Sequence, residues 1–116
     1  RLYDDLEDVH KWLDQAFYNG RRVGFAFSEI YKGEFKLDKL YIHPDVQRQG
    51  VGGQLIEHVA ARAKKNGYPC VILAVNKRND KAIGSYKKYG FVVREAIVDD
   101  IGRGFVMDDF VMEKKL

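Results

Sequence analysis

Apolar positions recur along this chain with two periods, and each change of period marks a new element. Leu6, Val9, Leu13 and Phe17 stand at helical spacing with charges between them, which predicts one amphipathic helix over residues 2–17. Asn19-Gly20 is a hairpin signal, and a strand over residues 22–30 follows it. A turn at Lys32-Gly33 leads into a second strand, residues 35–42. It ends at His43-Pro44, where proline removes a ladder donor and restricts the residue before it. Leu55, Ile56, Val59, Ala60 and Ala63 give a helix over residues 54–65 its buried stripe, and Asn66-Gly67 stops it. Cys70 to Val75 is a continuous apolar run of the kind found in a strand covered on both faces. A short helix over residues 79–89, closed by Gly90, precedes two last strands, 91–98 and 105–114, joined around Asp99-Asp100-Ile101-Gly102.

This order predicts one domain, residues 1–116, of the α/β class: a single mixed (α+β) sheet with helices on its faces and a strand–loop–helix–strand unit in its middle. A chain of 116 residues can bury a real core but has no room for a second one. The formal charge of +3 is modest and spread over several segments, which argues against a nucleic-acid partner. No apolar run approaches the ~20 residues of a membrane span, and no basic-then-apolar leader precedes the first polar segment. The expectation is a cytoplasmic protein with no membrane partner; Arg at position 1 instead of Met fits an N-terminus that is trimmed, processed or not fully represented. The single cysteine, Cys70, has no internal disulfide partner and reads as a structural thiol at the start of a strand.

The densest chemistry lies at Gln47-Arg48-Gln49-Gly50-Val51-Gly52-Gly53, between the second strand and the first long helix. A strand that turns through small residues into a helix leaves backbone N–H groups unpaired at the positive end of the helix dipole, with no Cβ to hold a ligand away. Such a turn can seat a pyrophosphate, although glycines before a helix are also ordinary turn chemistry. The spacing is not Gly-x-Gly-x-x-Gly, which argues against a dinucleotide fold.

A second segment, Asn79-Asp80-Lys81-Ala82-Ile83-Gly84-Ser85-Tyr86-Lys87-Lys88-Tyr89-Gly90-Phe91, also follows a strand. The two segments, in this order, resemble the GCN5-related N-acetyltransferase (GNAT) family. The first is similar to its Gln/Arg-x-x-Gly-x-Gly/Ala loop, and the second to its Asn-x-x-Ala-x-x-x-Tyr-x-x-x-Gly-Phe pattern. The resemblance runs from about Val23 to the C-terminus and implies the GNAT fold with its N-terminal part shortened.

The same resemblance implies acetyl-CoA as cosubstrate and no metal. Its pyrophosphate would be held by Arg48, Gln49, Gly50, Val51, Gly52 and Gly53, and its pantetheine arm would lie along Leu40, Tyr41 and Ile42. Asn79 and Ala82 would contact the same arm, with capping of the helix as the structural alternative for Asn79. Tyr86 matches the family tyrosine that donates a proton to the departing thiolate, ahead of Tyr89. Asp38 occupies the position of the carboxylate that takes the proton of the amine, with Glu34 and His43 as lesser candidates.

The acceptor implied first is a small primary amine or polyamine, since Asp99, Asp100, Asp108, Asp109 and Glu113 gather near the C-terminal hairpin and would attract a cation. The alternatives are acetylation of a protein N-terminus or lysine, and a non-catalytic CoA-binding module. A homodimer is left open by the sequence.

Overall fold

The computed structural model describes residues 10–116. The elements are β1 (Lys11–Tyr18), β2 (Arg21–Tyr31), β3 (Glu34–Ile42), a 3₁₀ turn (Pro44–Val46), α1 (Val51–Lys65), β4 (Cys70–Asn76), α2 (Asp80–Lys88), β5 (Val92–Gly102) and β6 (Phe105–Lys115). The strands form one six-stranded sheet in the order β1-β2-β3-β4-β6-β5. All neighbours are antiparallel except β3 and β4, which the crossover through α1 makes parallel.

The predicted N-terminal helix is the clearest correction. Residues 2–9 lie outside the described residues, and Lys11–Tyr18 is a strand. The two-residue turn at Asn19 and Gly20, both with positive φ, folds it back onto β2. Alternation then turns Trp12, Asp14 and Ala16 inward and leaves Leu13 and Phe17 exposed. Trp12 stacks on Phe35 with ring centroids 5.0 Å apart, and Asp14 accepts two hydrogen bonds from Arg62 of α1, at 2.5 and 2.8 Å. The inward set is mixed in polarity, so its period of two is hidden while the exposed residues mimic a helix.

The other elements fall where the apolar pattern puts them, with shifted ends. Helix α1 begins at Val51 and so takes Gly52 and Gly53 into its first turn. Strand β5 continues through Asp99-Asp100-Ile101-Gly102, and the turn lies at Arg103-Gly104. β4 pairs with β6 only as far as Asn76 opposite Asp109, so the tip of the β5–β6 hairpin projects beyond the sheet. Neither face is covered there, and aspartates in a strand lose no solvation.

Ala26 of β2, Phe35 and Leu37 of β3, Val71, Leu73 and Val75 of β4, and Met112 of β6 close over Leu55, Ile56, Val59 and Ala63 of α1 and Ile83 of α2. Both helices therefore feed one core on one face of the sheet. Among the described residues, no helix is long and apolar enough to cross a membrane.

Strand β3 carries the feature that positions the site. Phe27 lies opposite Lys39 and Ser28 opposite Leu37, so Asp38 is an extra residue, a β-bulge. Phe35 and Leu37 face the core; after the bulge the core-facing residues are Leu40 and Ile42. The bulge thus accommodates apolar residues spaced two, three and two apart. On its other edge β3 pairs with β4 only at Phe35–Val71 and Lys36–Ile72, and from Leu37 onward the two strands part.

Deleting Asp38 would return β3 to strict alternation with Phe35, Leu37, Leu40 and Ile42 still on the core face and the ladder to β2 continuous from Leu37 to Lys39. We expect the deletion to keep the cooperative thermal transition followed by circular dichroism, as should Asp38→Gly, which preserves the residue count. A deletion variant without a cooperative transition would show that the sheet needs the bulge itself and not only the facing of these four residues.

Candidate functional site

The parting of β3 from β4 opens a cleft of ≈ 810 Å³ on the helix face of the sheet. Leu40 and Ile42 of β3 form one wall, Gly50, Val51 and Gly52 the end, and Asn79, Ala82 and Tyr86 of α2 the other wall. The splayed edge of β3 beyond Lys36 has no β4 partner, so its amides and carbonyls are left for another extended chain.

The end of the cleft is an anion seat. Arg48 and Gly50 both have left-handed backbone, φ 68° and 85°, and Gly50 caps α1 without any side-chain hydrogen bond. Gln54 N–H reaches the Gly50 carbonyl at 3.0 Å, and it is the first amide of this helix to find a backbone acceptor. The amides of Val51, Gly52 and Gly53 precede it at the positive end of the helix dipole. Among the described residues, a Cβ built on Gly50 would meet no atom within 4 Å beyond its neighbours in the chain, so the space before it is open. Arg48, Lys81 and Lys88 line the same cleft and give it cationic walls.

Tyr86 is fixed by the way α2 ends. Gly90 N–H bonds the Lys87 carbonyl and Phe91 N–H the Tyr86 carbonyl, a Schellman closure. Its apolar partner contact is the Tyr86–Phe91 ring pair, edge to face at 5.7 Å. Lys114 donates to the Tyr89 carbonyl at 2.7 Å and completes the cap. Burial pushes the Tyr86 phenol above its ordinary range, so it stays protonated at neutral pH and can act as a donor into the cleft.

Of the residues predicted to bind, Leu40, Ile42, Arg48, Gly50, Val51, Gly52, Asn79, Ala82 and Tyr86 line one cleft. Asn79 lines it while its Oδ1 caps α2 by accepting from Ala82 N–H at 3.1 Å, so the structural role is occupied as well. Three do not line it. Tyr41 points to the opposite face, 45% exposed and tilted against Phe25, the Gln49 side chain donates to the Asp45 carbonyl, and Gly53 packs under the Tyr89 ring. The sequence reading missed Val46, Gln47, Lys81, Ser85 and Lys88, and set Tyr89 behind Tyr86. Helical periodicity could have found three of them: Lys81, Ser85 and Lys88 repeat the spacing of Ala82, Tyr86 and Tyr89 one position earlier.

The carboxylates separate. Asp38 is outside the cleft, on the face away from the helices, with Lys36 Nζ 3.5 Å from its Oδ1; the same ammonium lies 4.5 Å from the centroid of the Tyr31 ring. Glu34 accepts two hydrogen bonds from Arg94, at 2.7 and 3.0 Å, which hold its pKa below the usual 4.5 against a smaller upward effect of burial. A carboxylate so engaged is a poor base. His43 accepts from Asp45 N–H through Nδ1 and contacts Arg21 through Nε2, away from the cleft lining. The acidic residues near the C-terminal hairpin do not gather either. Asp108 pairs with Lys77, Glu113 with Arg94, Asp109 is buried, and Asp99 and Asp100 lie toward the projecting tip.

Residues 1–91 match the acetyltransferase (GNAT) family, further toward the N-terminus than the motifs reach. The chain is 41% identical over 84 residues to the peptidyl-lysine N-acetyltransferase YjaB of Salmonella typhimurium, covering 72% of this chain and 52% of that protein. It is 35% identical over 77 residues to the ribosomal protein bS18-alanine N-acetyltransferase of Escherichia coli, covering 66% of this chain and 52% of that one. The solved PaiA N-acetyltransferase of Thermoplasma acidophilum, in complex with coenzyme A, superposes with a TM-score of 0.79 at 25% identity, covering 98% of this chain and 66% of that chain. The chain thus spans about half the length of the curated relatives it matches.

Two measurements check the site's physical chemistry. Gly50→Ala should lose roughly 1–2 kcal/mol, because the left-handed cap penalises a Cβ even where space is open; the thermal midpoint should fall by about 4 °C or more. An unchanged midpoint would mean that Gly50 is not held left-handed. For Glu34, a depressed folded pKa means that its stabilisation is present above the ordinary value of 4.5 and is lost as pH falls through the folded value. The stability gap between the parent and Glu34→Gln in urea should therefore be full at pH 7 and shrink progressively in acid, and a gap that widens in acid would contradict the assigned sign.

Proposed function

Because the chain belongs to the acetyltransferase (GNAT) family, we propose that it transfers an acetyl group from acetyl-CoA directly to a primary amine carried by a protein, either an N-terminal α-amine or a lysine side chain. The observation that carries the reading is the convergence, in one cleft, of orphaned helix amides, an unpaired strand edge and a half-buried tyrosine. A phosphate-bearing arm with amides along its length fits those three surfaces in that order. The two curated relatives act on peptidyl lysine and on the alanine of a ribosomal protein, which favours a protein-borne amine over the small amine expected from the acidic residues. Those acidic residues are individually paired, buried or remote, so they give a free polyamine no shared binding surface.

Acetyl-CoA supplies the acetyl thioester. The amides of Val51, Gly52 and Gly53, with Arg48, hold the pyrophosphate, and the edge of β3 at Leu40 and Ile42 aligns the arm. A backbone N–H of that edge directed at the thioester carbonyl stabilises the oxyanion as the amine nitrogen bonds to carbon. As the carbon–sulfur bond breaks, its electron pair stays on sulfur and takes the Tyr86 proton. Asp38 accepts the proton that the ammonium must lose before attack, after exchanging the Lys36 ammonium for that of the acceptor.

The test is release of free CoA thiol from acetyl-CoA with three acceptors: a peptide with a free N-terminus, an N-terminally blocked peptide with one lysine, and a polyamine. A peptide should be the best acceptor; a polyamine outperforming both would overturn the acceptor class, and no release with any would leave a CoA-binding module. In the parent, acetyl-CoA at a hundred times its Kd should add about 2.7 kcal/mol of stability, a gain absent in Gly52→Val. Tyr86→Phe should keep that gain and lose ~10²-fold in kcat. Normal turnover in Tyr86→Phe would move the acid elsewhere.

A further inference from the structure

We propose that Arg94 is a positioning residue for transfer: its bidentate bond to Glu34 straps the hairpin edge of the sheet to the start of β3 and sets how widely β3 and β4 part. Arg94 and Glu34 are 60 positions apart in sequence, on strands separated by β4 and β6. Arg94 reaches that far because it is itself a bulge residue. Val93 lies opposite Met112 and Glu95 opposite Val111, which leaves Arg94 outside the ladder. Its guanidinium gives Nη1 to Glu34 Oε1 at 2.7 Å and Nη2 to Oε2 at 3.0 Å, while Glu113 of β6 approaches Nη1 at 3.5 Å.

The place of the strap matters more than its strength. Glu34 adjoins Phe35 and Lys36, the only two residues of β3 that pair with β4, so the strap lies at the apex of the opening. Two parallel pairs are a weak hinge, and a fork-to-fork ion pair fixes both distance and direction across it. By the same parallel register Glu34 stands level with Cys70, so the strap lies at the foot of β4. The bulge at Asp38 lies just beyond the apex on the same strand. A change of splay angle therefore moves Asp38 and Leu40 relative to Tyr86, which α2 holds independently through its Schellman closure. The anion seat at Val51–Gly53 does not depend on the strap.

This inference rests on the acetyl-transfer reading for its kinetic part, and on amide exchange for a part that does not. Arg94→Met, Glu34→Gln and the double variant would be compared with the parent by hydrogen exchange, acetyl-CoA affinity and turnover with the best peptide acceptor. We expect faster exchange confined to residues 35–37 and 71–73 in all three variants, with residues 51–65 unchanged. Acetyl-CoA Kd should stay within about twofold while kcat falls about tenfold, and the double variant should fall no further than either single one, as one shared interaction requires. Arg94→Lys, which keeps the charge and loses the fork, should recover only part of kcat.

Additive losses in the double variant, exchange that rises uniformly, or parental kcat in Arg94→Met would each overturn the strap. A parent that binds no acetyl-CoA, while its variants still show the localised exchange, would instead overturn the acetyl-transfer reading and leave the strap standing as a hinge of the sheet.

Discussion

Strand β3 keeps β2 as a partner along most of its length but keeps β4 for two residues, and the cleft follows from that inequality. A sheet interior normally satisfies every backbone group, so a central strand edge left unpaired at the bottom of a cleft is costly unless something extended comes to lie on it. The fold tolerates the opening because the core does not need the missing ladder. Phe35, Leu37, Leu40 and Ile42 are held from one side by α1, and Val71, Leu73 and Val75 by β6 and both helices.

Two bulges on opposite sides of the opening make the same physical point. Each inserts one residue, Asp38 in β3 and Arg94 in β5, and so shifts by one the facing of the residues that follow it. The helices then supply what strands cannot. The N-terminus of α1 presents a row of free amides, and the closed C-terminus of α2 fixes a tyrosine against Phe91. Charge is distributed accordingly, with Arg48, Lys81 and Lys88 on the cleft, Asp38 on the opposite face and Glu34 in an ion pair.

What the sequence made legible was local. Gly50, Gly52, Asn79, Tyr86 and Gly90 could be read because turns, caps and helix ends depend on residues a few positions apart. The strand at Lys11–Tyr18 was misread because its inward residues Trp12, Asp14 and Ala16 owe their burial to Phe35 and Arg62, far away in sequence. The end of β5 was misread for the opposite reason: beyond the sheet nothing is buried, so polarity carries no signal about strand or turn. The ion pair of Glu34 with Arg94 had no sequence signature at all, and it removes Glu34 from the list of bases. The small-amine expectation rested on the same weak ground, since it treated acidic residues near in sequence as near in space.

The central claim is that the unpaired edge of β3 and the first turn of α1 take up one ligand together. Assigned ¹H–¹⁵N spectra recorded during a titration with acetyl-CoA test it most directly. The account predicts that the amides of the 37–42 edge and of residues 48–53 shift together, with a single affinity, while those of the hairpin tip at residues 99–106 do not move. Shifts confined to residues 48–53, with the β3 edge unchanged at saturation, would contradict it: the anion seat would then be real, and the parted strand would have no part in binding.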